Sequence, residues 1–347
     1  MQPHDRLANT MIIVHDTVSH FDPDVFDCID PACGVTHCYH RTRQLEAEPF
    51  WTVQYIVASD DPSPGNISAV LPIYKPKTRE WSNSLYDPAR WGAGACAPRN
   101  TVVIGAVRDV QSCLRITHDT TSMTSLASML DLAVEYSAHR QIVFPHYSET
   151  ARAAIDAAYP GSIAWVPTYV SSQLEMCEGP AWESSLGSAA RAERRSDRRL
   201  ITRAGLSVRV EQWAACHVSL LDLVVDHARR LGGTDSAVAA FRRYKQWSEC
   251  KGVQVLVFQV TKRSTVMGVG MALEWKDELL LYEMGLPGSR GPDRLATYLL
   301  LLSEAPVSYA LEKELRLIRL GFGNEVLTSR RGGTSVPHFY GWLRTDA

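Results

Sequence analysis

Six arginines are concentrated between Arg191 and Arg203. If this segment is a helix, five of them share one face at i, i+3, i+4, i+7 and i+8, with Glu193 and Asp197 on the opposite side. Guanidinium groups match phosphate oxygens in a bidentate way, which favours a phosphate-binding face. The alternative is a solvated face whose long side chains lie over apolar neighbours. The five are Arg191, Arg194, Arg195, Arg198 and Arg199.

Other polar side chains of the second half follow predicted strands. Arg330 and Arg331 lie in a glycine-bounded loop, where a cation could reach an oxyanion or a phosphate, or could simply be exposed. Asn324 could donate a hydrogen bond to a carbonyl group or form a turn. Tyr282 ends another predicted strand, and packing at the sheet edge is its alternative role.

A second set of polar and aromatic residues lies in the first half. His146 and Tyr147 follow the predicted strand 141–144, and ligands often bind at the ends of strands. Tyr86, Arg90 and Trp91 lie between strands and could line an acceptor cleft. A histidine satisfied by a carbonyl group and a capped surface loop would explain the same residues without a ligand.

The composition is that of a globular protein long enough for two domains. The chain has 347 residues, of which 45% are hydrophobic and 21% charged, and its net charge is −2. This charge excludes a protein that binds nucleic acid through its whole surface, so any RNA contact must be local. No apolar run approaches the roughly 20 residues of a membrane helix, and the run at 11–14 is too short for a secretory signal. We expect a cytoplasmic protein.

The eight cysteines are scattered along the chain, unlike the dense framework of a small disulfide-rich domain. Cys28, Cys33 and Cys38 lie near His37 and His40. Their spacing contains no Cys-x-x-Cys pair, so it does not match a zinc site. We expect reduced thiols and no metal.

One pattern occurs twice in the sequence. Residues 50–74 predict two strands joined by a turn, and residues 253–273 predict the same hairpin again. Each hairpin is followed by β-rich runs and amphipathic helices, which is typical of an α/β or α+β fold. We therefore predict two related domains, residues 1–178 and 179–347, each a mixed sheet flanked by helices.

A helical segment precedes the second hairpin. It comprises the arginine-rich stretch, residues 218–231 ended by glycines, and residues 236–250 ended by Gly252. We predict a helical arm over residues 184–251 at the start of the second domain.

Taken together, several features resemble the tandem acyltransferases of the GNAT superfamily, in particular the Fem-type aminoacyltransferases and their relatives in bacterial secondary metabolism. They are the strand at 69–74, the arginine-rich helix, Leu-Gly-Phe-Gly-Asn at 320–324, and Arg-Arg-Gly-Gly at 330–333 followed by Pro337. The resemblance covers most of residues 10–345. It implies two GNAT-like domains with a helical arm and transfer of an amino acid from aminoacyl-tRNA to an amine, whereas other tandem relatives use acyl-CoA.

Two positions depart from the family's pattern. Where the family usually has a lysine after the glycine-rich strand, this chain has Ser329, Arg330 and Arg331, so the resemblance gives the lysine's role to Arg330. The loop at 285–291 is nearest to the CoA pyrophosphate loop, but Pro287 and Pro292 interrupt its row of backbone N–H donors. The second departure weakens the case for acyl-CoA as the donor more than the case for aminoacyl-tRNA.

We expect an acyltransferase that moves an amino acid from aminoacyl-tRNA onto an amine or hydroxylamine-type nitrogen. The acceptor would be a small molecule, as in antibiotic biosynthesis, or a cell-wall precursor. Such a transfer needs two positioned partners and a stabilised oxyanion, and we expect no cofactor. The alternatives are an acyl-CoA-dependent N-acyltransferase and a non-catalytic module that binds tRNA or another partner.

The expected site residues form three sets. The catalytic residues are Arg330, Asn324 and Tyr282. The donor phosphates are expected at Arg191, Arg194, Arg195, Arg198 and Arg331. The acceptor is expected at Tyr86, Arg90, Trp91, His146 and Tyr147.

Overall fold

The computed structural model describes residues 10–344, with gaps at 31–32, 60–65, 82, 108–110, 118–119, 139, 177–178, 215–217, 232–235 and 289–290. The chain forms two compact units. Unit 1 comprises Met1–Tyr169 and Pro337–Ala347, and unit 2 comprises Val170–Val336. The predicted boundary at 178/179 lies beyond the structural one, and the last strand belongs largely to unit 1 because it pairs with a strand of that unit.

The elements are as follows, numbered along the chain. The strands are β1 (Met11–His15), β2 (Trp51–Ser59), β3 (Ile67–Pro76), β4 (Thr101–Ile104), β5 (Arg115–Ile116), β6 (Gln141–Ser148), β7 (Ile163–Glu175), β8 (Ser207–Gln212), β9 (Val253–Lys262), β10 (Thr265–Trp275), β11 (Glu278–Gly285), β12 (Leu317–Phe322) and β13 (Thr334–Leu343). The helices are α1 (Pro23–Cys28), α2 (Tyr39–Glu46), α3 (Thr120–Ser137), α4 (Glu149–Ala158), α5 (Trp182–Ser185), α6 (Ser188–Ala204), α7 (Val218–Arg230), α8 (Ala237–Ser248), α9 (Pro292–Leu299), α10 (Ala305–Glu312) and α11 (Glu325–Ser329).

Unit 1 is a mixed sheet in the order β1-β2-β3-β4-β6-β13-β7. The predicted hairpin is the antiparallel pair β2–β3, and β4 runs parallel to β6. Successive side chains of a strand point to opposite faces. Ile56 and Leu71 therefore belong to the cluster that contains Met129 of α3, and Tyr55 belongs to the cluster that contains Phe26 of α1.

Unit 2 repeats this plan in the order β7-β12-β11-β10-β9-β8, beginning with the second half of β7. The antiparallel pair β9–β10 is the second predicted hairpin, and β11 runs parallel to β12. Phe258, Leu279 and Ile318 pack in one core with Leu301, from the helical connection between β11 and β12. The prediction of two related mixed sheets flanked by helices is confirmed.

The segment 184–251 contains the three predicted helices, as α6, α7 and α8, and in addition the strand β8. This strand pairs with β9 from Ser207↔Thr261 to Gln212↔Leu256. A Cβ atom on Gly285 of β11 would lie 2.7 Å from the backbone nitrogen of Val224 in α7. The predicted arm is therefore packed on the sheet of unit 2, because glycine at 285 allows a helix backbone to approach a strand closely.

Helices α9 and α10 form one continuous helical segment. A π-helical turn, Leu300–Glu304, joins α9 to α10. None of the helices in the described ranges is both long and apolar enough to cross a bilayer.

One expectation about the cysteines is wrong. Cys33 and Cys113 form a disulfide, with Cα atoms 5.3 Å apart. The two residues are 80 positions apart in the sequence, so only the tertiary structure brings them together. Cys28, Cys38, Cys96 and Cys250 are not disulfide-bonded, and Cys177 and Cys216 lie outside the described residues.

Candidate functional site

The clearest opening in the sheet of unit 2 lies between its two parallel strands. β11 and β12 pair only from Glu278↔Leu317 to Leu280↔Arg319. Beyond these positions β11 continues beside β10 as far as Gly285, while β12 continues beside β7. Gly321 has φ = +72°, a left-handed conformation that lets β12 turn away without strain. The carboxyl ends of the two strands therefore diverge.

Tyr298 and Asn324 lie at the end of β12. The Tyr298 hydroxyl, from α9, donates a hydrogen bond to the side-chain oxygen of Asn324, the N-cap residue of α11. Burial raises the pKa of the Tyr298 phenol, although the charge of Arg331 lowers it. The phenol is thus protonated at neutral pH and can act as a hydrogen-bond donor. Of the predicted catalytic residues, Asn324 lies at this opening.

Tyr282 lies on β11 where its pairing with β10 shifts register, with Met271↔Glu283 followed by Ala272↔Leu281. Such a bulge changes the direction of neighbouring side chains. The Tyr282 ring contacts Trp247 of α8, with ring centroids 5.9 Å apart. The predicted catalytic tyrosine thus packs on a helix that covers the sheet.

Glu283, the next residue, is held by two partners from α8. Its carboxylate lies 2.7 Å from an Arg243 guanidinium nitrogen and accepts a hydrogen bond from the Tyr244 hydroxyl. This fixed carboxylate lies one residue beyond Tyr282, at the strand that borders the opening.

The start of α9 is poorly suited to a pyrophosphate group. Pro292 occupies the first turn and has no N–H to donate. Asp293 adds a carboxylate there, 2.7 Å from the Lys262 ammonium group. The carbonyl oxygens of Leu286 and Pro287 in the preceding loop accept hydrogen bonds from arginine side chains, those of Arg230 and Arg294. The charge of Asp293 is paired with that of Lys262, so the missing N–H of Pro292 is the feature that disfavours a pyrophosphate at this helix end.

Two arginines predicted to bind donor phosphates are instead held by acidic groups of unit 2. Arg194 is completely buried, lies 2.7 Å from Glu304 and stacks over the ring of Trp182. Arg198 binds Glu304 at 2.7 Å and also pairs with Glu183. Either side chain would have to leave these ion pairs to bind a phosphate, so their assignment as phosphate ligands stays a prediction.

Arg331, a third predicted phosphate ligand, is also held by an acidic group of unit 2. It is 5% exposed and forms a two-pronged ion pair with Asp197, at 2.5 and 2.9 Å. Asp197 thus lies on the same buried face of α6 as Arg194, because residues three apart are neighbours on a helix. Its predicted position opposite the arginines is wrong. Arg330, by contrast, is exposed at the C-terminal end of α11.

Unit 1 brings most of its predicted acceptor residues together. His146 is completely buried, and its ring lies 5.7 Å from that of Tyr86 and 5.8 Å from that of Trp91. Tyr169 and Tyr340 also contact it, at 5.1 and 5.9 Å. The imidazole Nε2 lies 2.9 Å from the carbonyl oxygen of Leu85. These residues form a packed aromatic cluster with the histidine inside it.

Two predicted acceptor residues lie apart from this cluster. Tyr147 points to the opposite face of β6 and packs on Trp165, because successive strand residues alternate. Arg90 is exposed, and its guanidinium group lies over the Trp91 ring and donates to the Ser84 hydroxyl. Arg90 is thus the member of this set that solvent reaches most easily.

A later segment of the chain follows β4 beside β6 at their carboxyl ends in unit 1. Their pairing ends at Val103↔Val143, and the later segment at Ser112 then lies beside β6. The Ser112 backbone donates to the His146 carbonyl oxygen at 3.2 Å, and its hydroxyl accepts from the Ala106 N–H at 2.9 Å. His146 adopts φ = +57°, a costly conformation for a residue with a side chain. The protein's own chain occupies this position.

The buried imidazole predicts a dependence of stability on pH. Burial lowers the pKa of His146 from 6.5 to about 4; the Leu85 carbonyl opposes this shift, and His338 and Arg90 add to it. The unfolded chain therefore binds the proton more readily. The contribution of the neutral imidazole to the free energy of unfolding is fully present above pH 6.5. It is lost as the pH falls towards 4, by up to about 3 kcal/mol. Urea unfolding of His146→Asn, which suits a positive φ, should show a weaker loss between pH 7 and 4. An unchanged pH dependence would contradict this assignment.

A potential metal-binding group also lies in unit 1. Asp30, Cys33 and Cys113 place their ligand atoms within 4.8 Å of one another. In this structure the two sulfurs are bonded to each other, which removes both thiolates as ligands. The three residues therefore form a disulfide with a carboxylate beside it.

Several residues at the opening were not predicted from the sequence. Tyr298 looked like one more aromatic residue of an amphipathic helix, and Arg243 and Tyr244 like parts of a helical arm. Tyr298 meets Asn324, which is 26 positions away, and Tyr244 meets Glu283, which is 39 positions away. Helical periodicity indicates which face of a helix is apolar but not which distant polar group it meets.

Comparisons with known proteins agree with this architecture. By sequence, the chain matches no known family pattern and no curated protein. By structure, it is similar to FemX, with a TM-score of 0.62 and 10% identity over 97% of this chain and 98% of that one. A tandem GNAT protein from the clavulanic acid biosynthesis pathway has a TM-score of 0.52 and 14% identity, covering 96% and 98%. L-PGS from Bacillus licheniformis has a TM-score of 0.52 and 10% identity, covering 94% and 93%. These similarities, at such low identity, show the fold: the chain is a tandem GNAT-fold protein.

Proposed function

We propose that this protein is an acyltransferase that moves an aminoacyl group from aminoacyl-tRNA onto a nitrogen nucleophile. The observation that carries the proposal is the divergence of β11 and β12 in unit 2, with Tyr298 and Asn324 at its edge. Ligands of open α/β sheets bind in the crevice outside the carboxyl ends of the strands. The aminoacyl ester is already activated, so the protein needs only to position both partners and stabilise the developing oxyanion.

In this proposal the protonated Tyr298 hydroxyl donates to the oxyanion or to the leaving ribose oxygen. Asn324 holds that hydroxyl before substrate arrives and binds the carbonyl group afterwards. Tyr282 forms part of the wall at β11. Transfer forms one amide bond and breaks one ester bond, and the nitrogen's proton passes to the ribose oxygen, so no further reactant is needed.

The start of α9 favours tRNA over CoA as the donor. Acyl-CoA would place its pyrophosphate near a helix N-terminus, as phosphate groups bind there in many proteins. Here Pro292 removes a backbone N–H donor from the first turn. The sequence resemblance to Fem-type aminoacyltransferases supports the same donor. The acceptor nitrogen is proposed to belong to a small molecule or cell-wall precursor.

The proposal is tested by a transfer assay with two donors. The protein is incubated with a pool of tRNAs charged with radiolabelled amino acids and with a panel of amines. A parallel reaction contains labelled acetyl-CoA. Labelled amide from the tRNA pool, above a reaction without protein, is the expected result. Product only from acetyl-CoA would overturn the choice of donor, and no product from either would favour a binding module.

Because the Arg330 side chain is exposed, we expect its replacement to have only a moderate effect on turnover. A guanidinium group in water stabilises an oxyanion less than one in a dry cleft. We therefore expect Arg330→Ala to lower turnover by about tenfold, and Arg330→Lys to recover part of it because the charge remains. Arg242→Ala, at another exposed arginine of unit 2, is the matched control. Equal rates for Arg330→Ala and the control would remove Arg330 from the site.

A further inference from the structure

Helix α6 carries arginines in two rows with different surroundings. The inner pair, Arg194 and Arg198, is neutralised by Glu304 and Glu183. Their positive charges are therefore used within unit 2, and they stabilise the packing of α6. The inner pair contributes little to the electrostatic potential outside the protein.

The second row, here called the outer row, consists of Arg195, Arg199 and Arg203, and all three side chains are exposed. They lie four positions apart, so each is next to the following one on the same side of the helix. Within the part of the chain that the structure describes, no carboxylate forms an ion pair with them. Arg191, one turn earlier, donates only to the carbonyl oxygens of Ser184 and Leu186.

The shape of the outer row indicates what could neutralise it. With a rise of 1.5 Å per residue, adjacent members are about 6 Å apart along the helix and the row extends for about 12 Å. A single phosphate group can contact only one or two of these side chains. A chain of phosphates can contact all three at once, and arginine binds phosphate oxygens in a bidentate way. The complementary ligand is therefore a linear polyanion.

We infer that the outer row of α6 binds the sugar-phosphate backbone of the tRNA donor. The inference rests on the proposed function, because that function requires the protein to hold an RNA. The contacts are to the backbone, so they position the RNA without reading its sequence. The net charge of the protein is −2, so its overall charge does not attract RNA. A local row of arginines provides that attraction in this proposal.

Binding of fluorescently labelled, uncharged bulk bacterial tRNA, titrated between 50 and 200 mM salt, tests the inference. The row variant carries Arg195→Gln, Arg199→Gln and Arg203→Gln. A matched control carries Arg242→Gln, Lys251→Gln and Arg263→Gln, which removes the same charge from three other exposed positions of unit 2. Each phosphate contact contributes roughly 0.7 to 0.9 to the slope of log K against log salt. The row variant should thus lose about 2 from this slope and bind at least tenfold more weakly at 50 mM salt, while the control keeps the wild-type slope.

Two outcomes would overturn the inference. An unchanged slope in the row variant would show that α6 does not contact the RNA. An equal loss of slope in both variants would show that only net charge matters. Transfer by the wild-type protein is measured separately with charged tRNA. If transfer occurs but the row variant keeps its slope, the proposed function stands and the binding surface lies elsewhere; if no transfer occurs, the proposed function fails whatever the slope.

Discussion

Replacing Asp197 by alanine is expected to destabilise unit 2 by about 3 to 5 kcal/mol. Asp197 and Arg331 are 4% and 5% exposed and share two hydrogen bonds. Removing the carboxylate leaves a buried guanidinium group whose remaining hydrogen bond is to the Leu327 carbonyl oxygen. An uncompensated buried charge costs far more than the net contribution of the pair that it came from. Guanidinium chloride unfolding at pH 7 would measure the loss.

Two further variants separate this explanation from a general sensitivity of α6. Glu193→Ala removes a carboxylate 4.0 Å from Arg331 that is 41% exposed, so a loss below about 1 kcal/mol is expected. The double variant Asp197→Leu with Arg331→Met replaces both charges by apolar groups, and should recover most of the stability lost in Asp197→Ala. If Asp197→Ala lowers the free energy of unfolding by no more than Glu193→Ala does, the buried ion pair does not stabilise unit 2 as proposed.

Replacing Tyr298 by phenylalanine is expected to lower aminoacyl transfer by about a hundredfold, with little change in stability. The substitution removes the one hydroxyl that donates to Asn324 and that is proposed to meet the developing oxyanion. Loss of a positioned proton donor typically costs two or more orders of magnitude in rate. Because the interaction strengthens in the transition state, turnover should fall while the KM for the tRNA donor changes little.

Tyr309→Phe is the control for Tyr298→Phe. Tyr309 is also a partly buried tyrosine of unit 2 whose hydroxyl donates to a side chain, that of Glu274, and burial raises the pKa of its phenol too. It lies on α10, and its ring packs on Phe258. Full activity in Tyr309→Phe beside a large loss in Tyr298→Phe would support the assignment. Equal losses, or full activity in both, would place the chemistry elsewhere.

The elements that depend on local sequence could be predicted. The hairpins β2–β3 and β9–β10 follow from alternating apolar strands with turn residues between them, and both lie close to their expected ranges. The strand β8 was not predicted, although Leu206, Val208 and Val210 alternate with polar residues, and Leu206 and Val210 pack against the core of unit 2.

Periodicity and composition are local properties of the chain, and they are sufficient to predict an arginine-rich helix over residues 188–204. Which of these arginines are neutralised depends on residues that are distant in the sequence. Arg194 and Arg198 meet Glu304 more than 100 positions later, and Asp197 meets Arg331 134 positions later. In the sequence, an arginine that is buried next to an acidic partner cannot be distinguished from an arginine that remains in water. Their difference is set by the dielectric environment and the distance to the opposite charge, which exist only once the sheet of unit 2 has formed.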